Sequence, residues 1–209
     1  MRQGFFITFE GPEGSGKSSQ AKRLVQALRR ARHSVLFVHD PGSTALGRRL
    51  RAALLHDHLK RLSPLTEALL FIAGRIQLVE EQVRPALERG RIVVCDRFHD
   101  STVAYQGFGG KLDIHWLDQL GRRAIGNLMP NLTVLLDVPT NVGFARLQGP
   151  KDRMERKHLA FHRRVRQGYH RLARREPRRF VVLDATHAPS QIHQHILDVV
   201  LRGLARKRL

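Results

Sequence analysis

The strongest constraint on this chain is a junction. Phe5-Phe6-Ile7-Thr8-Phe9 reads as a short buried strand, and it runs directly into Glu10-Gly11-Pro12-Glu13-Gly14-Ser15-Gly16-Lys17-Ser18, after which a helical pattern begins. Gly-x-x-x-x-Gly-Lys-Ser between a strand and a helix is the spacing of a phosphate-binding P-loop. Glycines let the backbone turn tightly enough to aim successive N–H groups at one anion. The N-terminus of the next helix adds partial positive charge. Gly11, Pro12, Glu13, Gly14, Ser15 and Gly16 would line such a cradle. Lys17 would reach the β- and γ-phosphates of a bound nucleotide, and the Ser18 hydroxyl would coordinate Mg²⁺. A glycine-rich hairpin with a chance lysine is the competing explanation, and both spacing and context weigh against it.

The 209 residues suit one α/β domain spanning 1–209. No apolar run approaches the roughly 20 residues that span a bilayer, so no membrane association is expected. Met1-Arg2-Gln3-Gly4 leads straight into the first strand, so no signal peptide is expected. The single cysteine, Cys95, fits a reducing, cytoplasmic setting. The net charge of +19 needs an account, and residues 146–179 hold 13 Lys/Arg against 3 Asp/Glu. Such an excess serves nucleic acids or anionic nucleotides, or reflects a bias of the organism's proteome. The aromatics that would stack bases along a strand are scarce, at 6%, so nucleic acid is not the expected partner.

Apolar runs at 5–9, 35–39, 91–95, 132–137 and 180–184 are short and nearly continuous in hydrophobicity. Strands buried on both faces of a parallel sheet read this way. Helices are expected at about 17–31, 44–56, 65–88, 113–126, 140–147, 153–174 and 189–206. Leu24, Leu28 and Ala31 keep helical spacing in the first, and Ile192, Ile196, Val199 and Val200 in the last. Pro64 marks a helix start and Gly90 a helix end. The fold class is α/β, one doubly wound P-loop domain. It has a five-stranded parallel sheet and helices on both faces, and ligands collect at the carboxyl ends of the strands.

Each strand end carries a distinctive residue: the P-loop, Asp40-Pro41-Gly42, Asp96-Arg97, Asp137-Val138-Pro139 and Asp184-Ala185-Thr186. Asp137 and Asp184 are expected as turn residues or caps. Asp96 beside Arg97 points to function, the carboxylate holding Mg²⁺ or its waters and the guanidinium clamping a phosphate.

Taken together, four segments resemble the thymidylate kinase family, which phosphorylates dTMP to dTDP with ATP. They are Phe9–Gly14, Asp40-Pro41-Gly42-Ser43-Thr44, Leu70-Phe71-Ile72-Ala73-Gly74-Arg75-Ile76-Gln77, and Asp96-Arg97-Phe98-His99-Asp100-Ser101-Thr102-Val103-Ala104-Tyr105-Gln106-Gly107. The resemblance implies that Phe71 stacks on thymine, although periodicity alone makes it a core residue. Arg75 would bond a base carbonyl, against a surface salt bridge otherwise. Ser101 or Thr102 would meet the other polar edge of the base, and Gln106 would pack near it. Tyr105 would lie by the sugar and disfavour a 2′-hydroxyl. Arg97 would bind the dTMP phosphate, and Glu13 would stand near the 3′-hydroxyl and the acceptor. The resemblance also implies the P-loop nucleoside monophosphate kinase fold and a homodimer; the apolar face at Leu69, Leu70, Ile76 and Val79 would supply the interface or else form core.

Phosphoryl transfer also needs a cation at the transferring group. Ser15 occupies the loop position where some family members carry arginine, so a short lid at about 147–154 is expected to supply it. Arg153 is the first choice, with Arg146 or Lys151 as substitutes. Asp40 stands where the family usually has Glu, Ser43 where glycine is common, and the lid is short. The charges of Arg163, Arg164, Arg174 and Arg175 read as a solvated helix face, and His158 and His162 as solvent-facing. Three rivals remain: another nucleoside monophosphate or deoxynucleoside kinase, a nucleic-acid-stimulated ATPase, and an inactive relative that only binds.

Overall fold

In the computed structural model, which describes residues 4–56 and 62–207, the five apolar runs form one parallel sheet. Its strands are β1 (Phe5–Glu10), β2 (Val35–His39), β3 (Ile92–Asp96), β4 (Leu132–Asp137) and β5 (Phe180–Asp184), in the order β2-β3-β1-β4-β5. Residues 1–3, which carry the expectation about a leader, lie outside the described residues.

Around the sheet run α1 (Lys17–Arg30), α2 (Ala45–Arg51), α3 (Pro64–Leu78), α4 (Arg84–Glu88), α5 (His99–Thr102), α6 (Ile114–Ala124), α7 (Thr140–Ala145), α8 (Leu159–Arg175) and α9 (Pro189–Lys207). Wide π-helical turns continue α2 through Ala52–His56, join α3 to α4 through Val79–Val83, and extend α5 through Val103–Gly109. Residues 64–88 therefore form one continuous helical rod, as the sequence indicates. Ser63 caps it, accepting from the Thr66 N–H at 3.0 Å, with Pro64 at the first turn.

Pleating sends alternate strand residues to opposite cores. Ile7, Phe9, Val94 and Val134 meet Leu24 and Leu28 of α1 and Ile192, Ile196 and Val200 of α9. Phe6, Val93 and Cys95 meet Leu78, Val83 and Ala86 on the other face. Beside them Leu135 and Phe180 meet Val165, Tyr169 and Leu172 of α8. Burying one such side chain stabilises by about 1.5–3 kcal/mol. Both faces are covered, which is why these strands lack polar alternation.

Two helix boundaries differ from expectation in ways that matter. The helix expected at 153–174 begins only at Leu159. Before it Gly149 takes a positive φ of 81°, and the Asp152 carboxylate accepts from the N–H groups of Met154 and Glu155 at 2.8 and 2.9 Å. The preceding helix stops at Ala145, so residues 146–158 are a loop. The helical segment at 99–109 has no sequence counterpart. Residues 99–107 are buried on every side, so no amphipathic period marks them.

The register sets the site. Asp96 at the end of β3 faces Phe9 of β1 on one side and His39 of β2 on the other. The chain leaves β1 toward β2 and leaves β3 toward β4, so the crevice between β1 and β3 is the switch point where ligands bind in open parallel sheets.

Candidate active site

A cleft of about 1150 Å³ opens over that crevice. At one end the P-loop wraps from β1 into α1. Gly14 has φ 67°, and a Cβ there would sit 1.9 Å from the Gly143 carbonyl oxygen, so only glycine is accommodated. Gly16 caps α1 without a side-chain acceptor, which leaves the first N–H groups of the helix open to an anion.

Lys17 is buried and donates to the Pro12 carbonyl at 2.7 Å and the Ser15 hydroxyl at 3.2 Å. Burial, with Arg97 adding to it, brings its pKa down to about 8. Ser18 donates its hydroxyl to the Asp96 carboxylate. A hydroxyl and a carboxylate beside a phosphate cradle form a hard-oxygen donor set that fits Mg²⁺, which takes few protein ligands and completes its shell with phosphates and waters. No cluster of three or more His, Cys, Asp or Glu suited to a metal occurs among the described residues.

Arg97 occupies the middle of the cleft. Its backbone is held at φ 66°, a conformation seldom adopted by a residue with a side chain, and its N–H donates to the Phe9 carbonyl at 3.0 Å. The guanidinium donates to both Glu13 oxygens at 3.1 and 3.2 Å, to the Tyr105 hydroxyl at 3.2 Å and to Ser101 Oγ at 3.3 Å. Tyr105 in turn donates to Glu13 at 2.6 Å. Burial opposes the charge on Glu13, yet Arg97 and Lys17 hold its pKa below the usual carboxylate value.

Beneath Arg97 lies a second carboxylate. Glu10, fully buried at the end of β1, accepts from the Phe98 N–H at 2.8 Å, Ser101 Oγ at 2.5 Å and the Tyr169 hydroxyl at 2.9 Å. Burial and the neighbouring Asp100 push its pKa up to about 7, against the pull of Ser101, Arg97 and Tyr169. Ser101 is thus committed to the support of Arg97. No motif assigns Glu10 or Tyr169 a role at the site. One signal for Tyr169 was present: the chain has two tyrosines, and both converge here.

At the other end of the cleft, Arg75 is almost fully buried. Nε donates to Asp40 at 2.5 Å and Nη2 to Thr102 Oγ1 at 2.9 Å, while Nη1 has no partner. The ion pair is therefore buried, not on the surface. Burial raises the pKa of Asp40 against the pull of Arg75. Phe71 is half-buried and lines the cleft, and so does Gln106, whose amide donates to Glu67 at 3.0 Å.

The lid candidates all face elsewhere. Arg146 donates to the Ala185 carbonyl at 2.8 Å, and Lys151 lies over the Phe144 ring at 5.3 Å. Arg153 donates to the Leu54 carbonyl at 2.7 Å and to Glu67 at 2.6 Å. None of the three lines the cleft; Asp152, Met154 and Glu155 do.

His162 corrects an expectation. It is 1% exposed, packed edge-on to Phe144 and Phe161, with neither ring nitrogen partnered. His158 is exposed. Arg164 also departs from the solvated face, since it is half-buried and donates to the Gly109 carbonyl at 2.7 Å. Asp184 is a turn residue that accepts from the Thr186 N–H at 2.8 Å. Asp137 instead ties β4 to α8, accepting from Arg166 at 2.7 Å through both oxygens.

Residues 9–196 match a family model described as thymidylate kinase. The chain is 49% identical over 207 residues to the thymidylate kinase of Thermomicrobium roseum, covering 98% of each protein. It is 50% identical over 202 residues to that of Deinococcus radiodurans, covering 96% of this chain and 98% of the relative. The fold is similar to a crystal structure of thymidylate kinase from Ehrlichia chaffeensis. The TM-score is 0.79 at 32% identity, over 95% of this chain and 99% of the other.

Proposed function

Because the chain belongs to the thymidylate kinase family, whose members transfer a phosphoryl group from ATP to dTMP, we propose how the residues of this cleft divide that work. Lys17 and the N–H groups of residues 11–18 take the β- and γ-phosphates of ATP. Arg97 takes the dTMP phosphate, for which its five donors in a planar fork are suited. One observation carries this assignment. Glu13, Tyr105 and Ser101, the last braced by Glu10, hold the Arg97 guanidinium in the middle of the cleft, between the phosphate cradle and the pocket at Arg75.

In that pocket Phe71 stacks on the thymine, worth about 1–3 kcal/mol by analogy with other base–aromatic stacks. The unpartnered Nη1 of Arg75 supports a hydrogen bond to a base carbonyl, since a buried donor left unpaired is costly. Thr102 and Gln106 flank it. Tyr105, fixed by Glu13 and Arg97, crowds the sugar position and disfavours a 2′-hydroxyl, while Glu13 lies by the 3′-hydroxyl. Ser101 acts from below, through Arg97 and Glu10.

Ser18 and Asp96 would hold Mg²⁺, which when bound neutralises charge on the donor phosphates. No residue has to act as a strong base, because the acceptor phosphate is already an anionic nucleophile. Alignment and charge compensation suffice. Residues 146–158 form the lid over this cleft, from which the remaining cation comes, and its closure excludes water. The chain works as one kinase domain in the cytoplasm, supplying dTDP for dTTP synthesis. It pairs as a homodimer through α2, α3 and α6, where Leu46, Leu65, Leu69 and Trp116 are exposed. Val79, considered for that interface, is a core residue instead.

The test is ADP release from Mg-ATP with dTMP, dUMP, dCMP, dGMP, UMP or single-stranded DNA as acceptor or stimulant. Strong release with dTMP alone is expected. Stimulation by DNA and by no monophosphate would sink the assignment.

A further inference from the structure

Glu67 lies on α3 one helical turn before Phe71, and it is 1% exposed. Three side chains converge on its carboxylate. Gln106, which lines the cleft, donates Nε2 at 3.0 Å. Arg153 donates Nη1 at 2.6 Å, and Lys157 donates to both oxygens at 2.8 and 2.9 Å. These partners keep the carboxylate charged despite its burial, their pull outweighing desolvation. They come from two different segments of the chain. Gln106 belongs to the pocket wall, whereas Arg153 and Lys157 belong to the lid.

Arg153 is fastened at two further points. Its backbone N–H donates to the Leu55 carbonyl at 3.1 Å and Nε to the Leu54 carbonyl at 2.7 Å. Its neighbours Asp152 and Met154 line the cleft while Arg153 itself points away. An arginine held by backbone and side chain together has the geometry of an anchor. A cation waiting to meet a phosphate would be freer.

We propose that Glu67 is a positioning residue that fastens the lid to the pocket wall through Arg153, Lys157 and Gln106, so that filling the dTMP pocket and closing the lid over ATP are one coupled event. The role rests on the kinase assignment above. Physically, dTMP orders the wall made by Phe71 and Gln106. That wall holds Glu67, and Glu67 fixes the lid in the place from which it covers ATP. Coupling of this kind is reciprocal.

The experiment is calorimetric titration of a non-hydrolysable ATP analogue with Mg²⁺, with and without saturating dTMP. In the native protein dTMP is expected to tighten the analogue within the common range of about 5–150-fold. In Glu67→Gln the factor should fall to about 1, while the analogue alone binds within about threefold of native. In kinetics, the KM for ATP at saturating dTMP should rise more than kcat falls. Coupling retained in Glu67→Gln, or tighter analogue binding through a freed Arg153, would overturn the role. If that variant does not fold, Lys157→Met, which leaves Glu67 paired with Arg153, should lower the factor at least about twofold; an unchanged factor overturns the role. The two assignments fail separately. No dTMP-dependent ADP release from the native protein sinks the kinase assignment. Normal release with a native factor of one sinks only the role of Glu67.

Discussion

Lys17 shows how much chemistry one buried residue concentrates. Its ammonium has left water for two neutral oxygens and lies near Arg97, so burial and repulsion both favour the neutral amine. Between about pH 8 and the ordinary lysine value of 10.5 the unfolded chain keeps a proton that the folded protein has released. Over that window this group therefore makes the free protein more stable as pH rises. Triphosphate binding should reverse the shift, because an anion at the ammonium favours the charged form. At pH 8.5 roughly three-quarters of Lys17 is neutral before binding, so ATP binding should draw most of a proton onto Lys17 there and almost none at pH 7. Calorimetry in two buffers of different ionisation enthalpy measures that uptake. Equal apparent enthalpies at pH 8.5 would show that Lys17 is already charged.

At the scale of elements, α8 and the helical segment at 99–109 decide whether the cleft keeps its shape. Their contact brings Tyr169 under Arg97 and closes the second core cluster. Close approach is possible because Gly168 and Gly109 face the partner helix. A Cβ at Gly168 would meet Phe108 ring and Cβ atoms at 2.6 to 2.8 Å. Those atoms lie near the root of a packed aromatic side chain, so relief requires backbone movement. Gly168→Ala should destabilise by about 1–3 kcal/mol, lowering Tm by several degrees at roughly 2–4 °C per kcal/mol. The KM for dTMP should rise as Tyr169 shifts. Thermal unfolding and steady-state kinetics on the variant check both, and an unchanged Tm would mean that the helices are free to part.

For the whole molecule, the exposed apolar side chains of α2, α3 and α6 are the surface most in need of a cover. Leu69→Glu is expected to shift sedimentation from dimer to monomer, and a native protein already monomeric would remove the homodimer from the assignment. No helix among the described residues is long and apolar enough to cross a membrane. Some arginines of the basic segment are committed to structural ion pairs, which leave the net charge of +19 unchanged. Arg179 pairs with the buried Asp100 at 2.7 Å, and Arg166 with Asp137. Arg163 and Arg174 remain solvated.

What was legible in the sequence was local or periodic. The P-loop is eight consecutive residues, Asp96-Arg97 ends an apolar run, and each strand is continuous in hydrophobicity because both its faces are buried. The helix at 99–109 was hidden for a related reason: complete burial erases the period by which a helix is recognised. The supports of the cleft were hidden by distance along the chain. Glu10 meets Tyr169 across 159 positions, and Glu67 meets Arg153 across 86. The sequence by itself determined where a phosphate is gripped, since turn geometry and donor spacing are properties of neighbouring residues. Only the tertiary structure decided which way Arg75, Ser101 and Arg153 point. Each is aimed by a buried carboxylate on another element, and the low dielectric there leaves no buried charge without a partner.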